Sequence, residues 1–155
     1  MDILSLGTAA IWIDFFTVVL SKYVFTGEAI KQWYNQFQYV AVLSDVLSVM
    51  IGVMLANLVF PKMNLIVSSI IVQVIHDVFF GAVVLGYIPK GHNQIIDLLK
   101  TYQSESSFGI LLYDAFMMGS TVVLMDYFTT VKKEIVTLLA LIGAYALTYI
   151  IYTNV

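Results

Sequence analysis

Four aspartates, Asp14, Asp45, Asp77 and Asp114, lie well inside four successive apolar stretches, and no basic residue lies at comparable depth in any of them. Carboxylates placed this way can hold protons, bind a hard cation or orient a polar substrate. Like charges a few ångströms apart in a low dielectric cannot all ionise, so some must share protons or be neutralised by a cation. His76, next to Asp77, adds the side chain whose charge changes most readily near neutral pH. Each carboxylate placed in lipid costs about 2.5 to 3.5 kcal/mol on insertion scales, so four of them point to a shared internal site. The competing reading is structural: a single intramembrane Asp can be satisfied by Ser, Tyr, Asn or Gln on a neighbouring helix.

The elements that must position these groups follow from composition. The chain has 155 residues, of which 61% are hydrophobic and 11% charged, with a mean hydropathy of +0.93. That places it in a bilayer, where a span takes about twenty residues. The pattern predicts one transmembrane domain over residues 1–155, an all-α bundle of five helices spanning about 3–25, 37–60, 63–88, 107–129 and 135–152. Met1 to Leu6 carry Asp2 and no Lys or Arg, so the first apolar run reads as a span and not as a signal peptide. Pro61 and Lys62 make a tight turn between the second and third spans, and Val131 to Glu134 another between the fourth and fifth. The longer connections, Thr26 to Gln36 and Pro89 to Ser106, fall on the side of the C-terminus.

Both long connections read as partly helical. Asn93 is placed to cap a short interfacial helix carrying Ile95, Ile96, Leu98, Leu99 and Tyr102 on its apolar side. Trp33 and Tyr34 in the other connection read as anchors at the headgroup level, with a lid over the site as the sharper alternative.

Helical faces group the candidates. Gly7, Ala10, Asp14, Thr17 and Ser21 form one stripe of small or polar residues; Gln38, Ala41, Asp45, Ser48, Gly52 and Ala56 form another. Such stripes mark the side of a helix that packs on protein. Ser69, Gln73 and Asp77 share a face, with His76 turned about 100° away, and the fourth span offers Asp114, Met118, Thr121 and Met125. Counted from the side of the long connections, Asp114 lies roughly 10 Å deep, Asp45 roughly 12 Å and Asp77 roughly 16 Å, with Asp14 about as deep as Asp77. One cavity lined by Asp14, Asp45, His76, Asp77 and Asp114 is the expected site. Asp126 lies near the opposite end of its span. The fifth span, with Thr137, Ala144 and Thr148 available for packing, closes the bundle or makes a subunit contact.

Several functions are excluded or disfavoured. No GxSxG, HExxH, GxGxxG or phosphate loop is present, and with no Cys there is neither a disulfide nor a thiolate metal site. A net charge of −3 with scattered lysines does not suit nucleic acid. A bound cation would be a hard one held by carboxylate oxygens. The run His76-Asp77, then Pro89-Lys90-Gly91-His92-Asn93, Ile96-Asp97, Lys100, Tyr102 and Glu105, then Asp114 with Met117 and Met118, resembles a family of small multi-span membrane proteins encoded by large DNA viruses of algae and protists. The resemblance covers about two thirds of the chain. It implies a viral or host membrane, transfers no activity, and draws His92, Asn93 and Glu105 into view as candidates for a lid or mouth. The reading is a homo-oligomeric membrane protein whose acidic cavity binds or conducts protons or cations. An intramembrane metal-dependent enzyme and a structural membrane protein are the alternatives.

Overall fold

The computed structural model describes residues 1–24, 27–106 and 109–153. Phe25 and Ser107, two predicted span ends, and the adjoining Thr26 and Phe108 lie outside the described residues. Among the described residues there are seven helices and no strand: α1 (Ile3–Tyr23), α2 (Glu28–Phe37), α3 (Tyr39–Val59), α4 (Leu65–Tyr87), α5 (Gln94–Ser106), α6 (Gly109–Thr129) and α7 (Lys133–Ile151). Five of them, α1, α3, α4, α6 and α7, are long and apolar enough to cross a membrane. They fall on the five predicted stretches.

The ends of these helices have local causes. After the Pro61 turn, Asn64 caps α4 by accepting from Ile66 N at 3.0 Å and Val67 N at 3.3 Å. Asn93 caps α5 in the predicted way, accepting from Ile95 N at 2.9 Å and Ile96 N at 3.2 Å. The turn before it needs Gly91, whose φ is +88°, and whose N–H donates to Asp97 Oδ2 at 2.9 Å. Lys100 Nζ donates to the Ile88 carbonyl and fastens the same turn to α5. α4 is not uniform: an α-helix over Leu65–Phe79 gives way to a π-helical turn over Phe80–Val84 before its last turn. One extra residue in a turn re-aims the side chains that follow it.

α1 is central. It packs on α7, α6 and α3, while α4 lies across from it against α3 and α6. The result is a ring of α1, α3, α4 and α6 with α7 outside on α1, and with α2 and α5 packed on each other over one end. The end away from α2 and α5 is filled by apolar side chains, among them Leu6, Val53, Met118, Val122 and Val136. The outward faces are equally apolar. Leu58 and Leu112 are each 75% exposed, with Phe16, Phe116 and Leu141 also outside. An outer surface of this kind is the reverse of a water-soluble helical protein, whose helices turn a polar face outward.

One expectation is corrected by packing. α7 meets the bundle through Gly143, not through Ala144 or Thr137, which are exposed. A Cβ at Gly143 would lie 2.8 Å from Ile11 Cγ2 and 3.2 Å from Trp12 Nε1, beside the bond from Trp12 Nε1 to the Leu139 carbonyl at 3.1 Å. Because a branched methyl cannot swing aside, Gly143→Val is expected to cost about 1 to 3 kcal/mol, read as a lower melting temperature in detergent. Lys22 is buried and donates to Asn35 Oδ1 at 3.0 Å, the Ile151 carbonyl at 3.0 Å and the Thr153 carbonyl at 2.8 Å. It ties the ends of α1 and α7 to α2.

Candidate ligand cavity

α3, α4 and α6 wall a cavity of about 770 Å³, and α2 and α5 form its roof. Ligand pockets commonly have volumes of about 300 to 1,000 Å³. Of the predicted site residues, Asp45, His76, Asp77 and Asp114 line this cavity together, and Asp14 does not.

Asp45 projects from α3 towards the roof. Its Oδ2 accepts from Trp33 Nε1 at 3.1 Å and from Tyr34 OH at 2.9 Å, both on α2. Trp33 and Tyr34 are therefore not surface anchors, as their residue types suggested; Tyr34 is only 2% exposed. The reason is the face of α2 itself. Ala29, Ile30, Trp33 and Tyr34 lie on one side of the helix, and that side is turned into the cavity. Burial first, and then the charges of Asp45 and Asp14, hold the Tyr34 phenol well above its usual range, so it remains a hydrogen-bond donor. Tyr102 of α5 is pushed up by burial and then by Asp114, Asp45 and Asp77. Tyr34→Phe is expected to cost about 1.5 to 3 kcal/mol, the worth of a hydrogen bond to a charged group. Thermal unfolding at neutral pH measures it.

Asp77 sits deeper on α4. Its Oδ1 accepts from Gln73 Nε2 at 2.7 Å, one helical turn back, and lies 3.1 Å from His76 Nδ1. His76 thus meets Asp77 despite the angle between their helical positions, because the imidazole lies along the helix surface and stacks on Phe80 with ring centroids 5.7 Å apart. Its side chain is 54% exposed, against 12% for Asp77. Asp77 Oδ2 is buried and has no hydrogen-bond donor among the described residues. Across from it on α6, the Asp114 carboxyl stands within hydrogen-bonding reach of Asp77.

Asp14 is elsewhere. It is 0% exposed, and neither of its oxygens has a hydrogen-bond partner among the described residues. Its stripe, Ala10, Asp14, Thr17 and Ser21, does face protein as the small residues required, but that protein is the packed core.

The three loop candidates do not line the cavity. Asn93 is the α5 cap, His92 is exposed, and Glu105 accepts the Ala29 N–H at 3.0 Å, capping the first turn of α2 from the last turn of α5. Glu105 therefore binds the two roof helices together. Residues that the sequence pattern did not single out complete the lining: Ser44, Gln103, and the π-helical turn with Phe80 and Gly81. A Cβ at Gly81 would lie 2.7 Å from Gln103 Nε2, so this glycine lets α5 settle close on α4. A glycine directly after Phe79 and Phe80 was the available signal.

Among the described residues, no group of three or more His, Asp or Glu is arranged to hold a metal ion. Compared with known proteins, the chain matches no family model, no curated sequence and no solved structure.

Proposed function

We propose that the chain is an integral membrane protein whose five apolar helices cross a bilayer, and whose acidic cavity binds protons or a cation as part of a carrier. The observation that carries this reading is the Asp77–Asp114 pair: two carboxyl groups within hydrogen-bonding reach inside one cavity, with Asp77 Oδ2 given no other donor among the described residues. Two carboxyl groups this close hold a proton or a cation between them. The apolar exterior supports the bilayer, because Leu58, Leu112 and Phe116 turned outward are stable only against lipid or other apolar surface. A carrier suits the fold better than an open channel, since the half of the bundle beyond the cavity is filled by Leu6, Val53, Met118 and Val122. The enzyme alternative loses support from the lack of a three-group metal set among the described residues. Following the resemblance carried by His76-Asp77 and the run from Pro89 to Asn93, we assign the protein to a viral or host membrane. The residues that line the cavity come from five helices of one chain.

The structural reading keeps one observation in its favour, the two hydrogen bonds that satisfy Asp45. Purified protein in liposomes separates the two. An imposed pH gradient, followed by a trapped pH dye, is expected to collapse faster than in protein-free liposomes, with or without a counter-moving cation. No flux of protons, Na⁺, K⁺, Mg²⁺ or Ca²⁺ under any gradient overturns the carrier and leaves the structural account.

A further inference from the structure

We infer that the cavity binds an amphipathic organic cation: an ammonium or guanidinium group on an apolar body the size of one or two rings. The inference deepens the proposed function and rests on its claim that the cavity takes up a positive charge. Volume decides first. A proton needs no cavity, and a hydrated metal ion needs a cage of oxygen ligands; about 770 Å³ is far more than either requires. It is the size of a site for a small organic molecule, given about 30 Å³ for each water of liquid volume.

The lining decides the chemistry. Three carboxyl groups, Asp45, Asp77 and Asp114, face this space, and no Lys or Arg is among the residues that line it. They are not equivalent. Asp45 already receives Trp33 and Tyr34, and Asp77 Oδ1 receives Gln73. Asp77 Oδ2 and the neighbouring Asp114 carboxyl are the acceptors left for a ligand. A bare metal ion finds no three-group set here among the described residues, whereas an ammonium is satisfied by one or two carboxylates. Around the acidic end stand aromatic rings, Trp33, Tyr34, Tyr102 and Phe80, whose faces attract cations. The rest of the lining includes the aliphatic side chains Val78, Leu85, Ile95, Leu98, Leu99 and Ile110. Carboxyl groups, aromatic faces and aliphatic side chains in one cavity complement a cationic amphiphile, and an anionic one would meet three carboxyl groups with only the His76 imidazole, already engaged by Asp77, to set against them.

The test uses the full chain in lipid nanodiscs, with equilibrium dialysis at neutral pH of three probes of similar size: benzylammonium, the neutral benzyl alcohol and the anionic phenylacetate. Partition into empty nanodiscs is subtracted. The ammonium is expected to bind at least tenfold more tightly than either other probe, and Asp114→Asn to lose at least tenfold of that affinity while melting within a few degrees of the parent. If Asp114→Asn does not fold, charge discrimination among the three probes on the unaltered protein still decides. Equal binding of benzyl alcohol and the ammonium overturns the inference, as does ammonium binding unchanged in a folded Asp114→Asn. The two proposals fail separately. Proton or metal-ion flux in liposomes without preference for the ammonium probe removes the ligand class and leaves the carrier; ammonium binding without any flux removes the carrier and leaves the site.

Discussion

Asp77→Asn and Asp114→Asn will each slow cation-linked or proton flux in liposomes by about 10- to 100-fold, the factor that corresponds to losing roughly 1.5 to 3 kcal/mol of interaction with a charged group. The double variant will be no slower than the worse single one. The two carboxyl groups lie within hydrogen-bonding reach of each other, so they act as one unit, and removing either member removes what the pair does. Asn keeps the shape of Asp and can still occupy the Gln73 and His76 contacts around position 77, so loss of the fold is not the expected cause. Additive losses in the double variant would mean that the two groups work at separate steps, and undiminished flux in either single variant would remove the pair from the mechanism. Initial rates at fixed gradient, with protein content measured per liposome, provide the comparison.

Asp14→Val, by contrast, will stabilise the protein by about 1 to 3 kcal/mol, the cost of leaving a buried polar group unsatisfied. Valine is close to aspartate in volume, so the site is neither emptied nor crowded, and an apolar side chain removes the two oxygens that have no partner among the described residues. Most substitutions of a fully buried residue destabilise, which makes the sign informative. A fall in melting temperature would show that Asp14 is held by interactions beyond its hydrogen-bonding geometry. A rise accompanied by slower flux would mark Asp14 as a group retained for its charge behind Asp45, at the expense of stability.

The long, strongly apolar elements were legible because their signal is summed over about twenty residues. Asp45, Asp77 and Asp114 were legible as partners because depth follows from a fixed rise per residue and stripes of small residues give direction. Asp14 shows where that logic stops. Its stripe correctly predicted a protein-facing side, but a stripe does not say whether the facing space is packed or open, which depends on the side chains contributed by other helices. Trp33 and Tyr34 misled through residue type: their preference for interfaces is a statistical property, whereas the face shared with Ala29 and Ile30 was the physical one. Glu105 was flagged for a lid or mouth, and its place in the structure is the bond to Ala29 N that joins the two roof helices. The π-helical turn at Phe80–Val84 leaves no period in the sequence, since it changes the phase of one turn only.

Gln38 separates α2 from α3 alone, and it is the one described residue other than glycine with a positive φ, at 47°. A backbone turned this way at a single residue is a fixed elbow. The ten residues of α2 then form an arm of roughly 15 Å, at 1.5 Å per residue, swinging from that elbow. Partway along it Trp33 and Tyr34 grip Asp45, and at its far end Ala29 is held by Glu105. Lifting this arm would release the Lys22 bond to Asn35, the Trp33 and Tyr34 bonds to Asp45 and the Glu105 bond to Ala29. Entry from this side and a change in the hydrogen bonding of Asp45 are mechanically a single event.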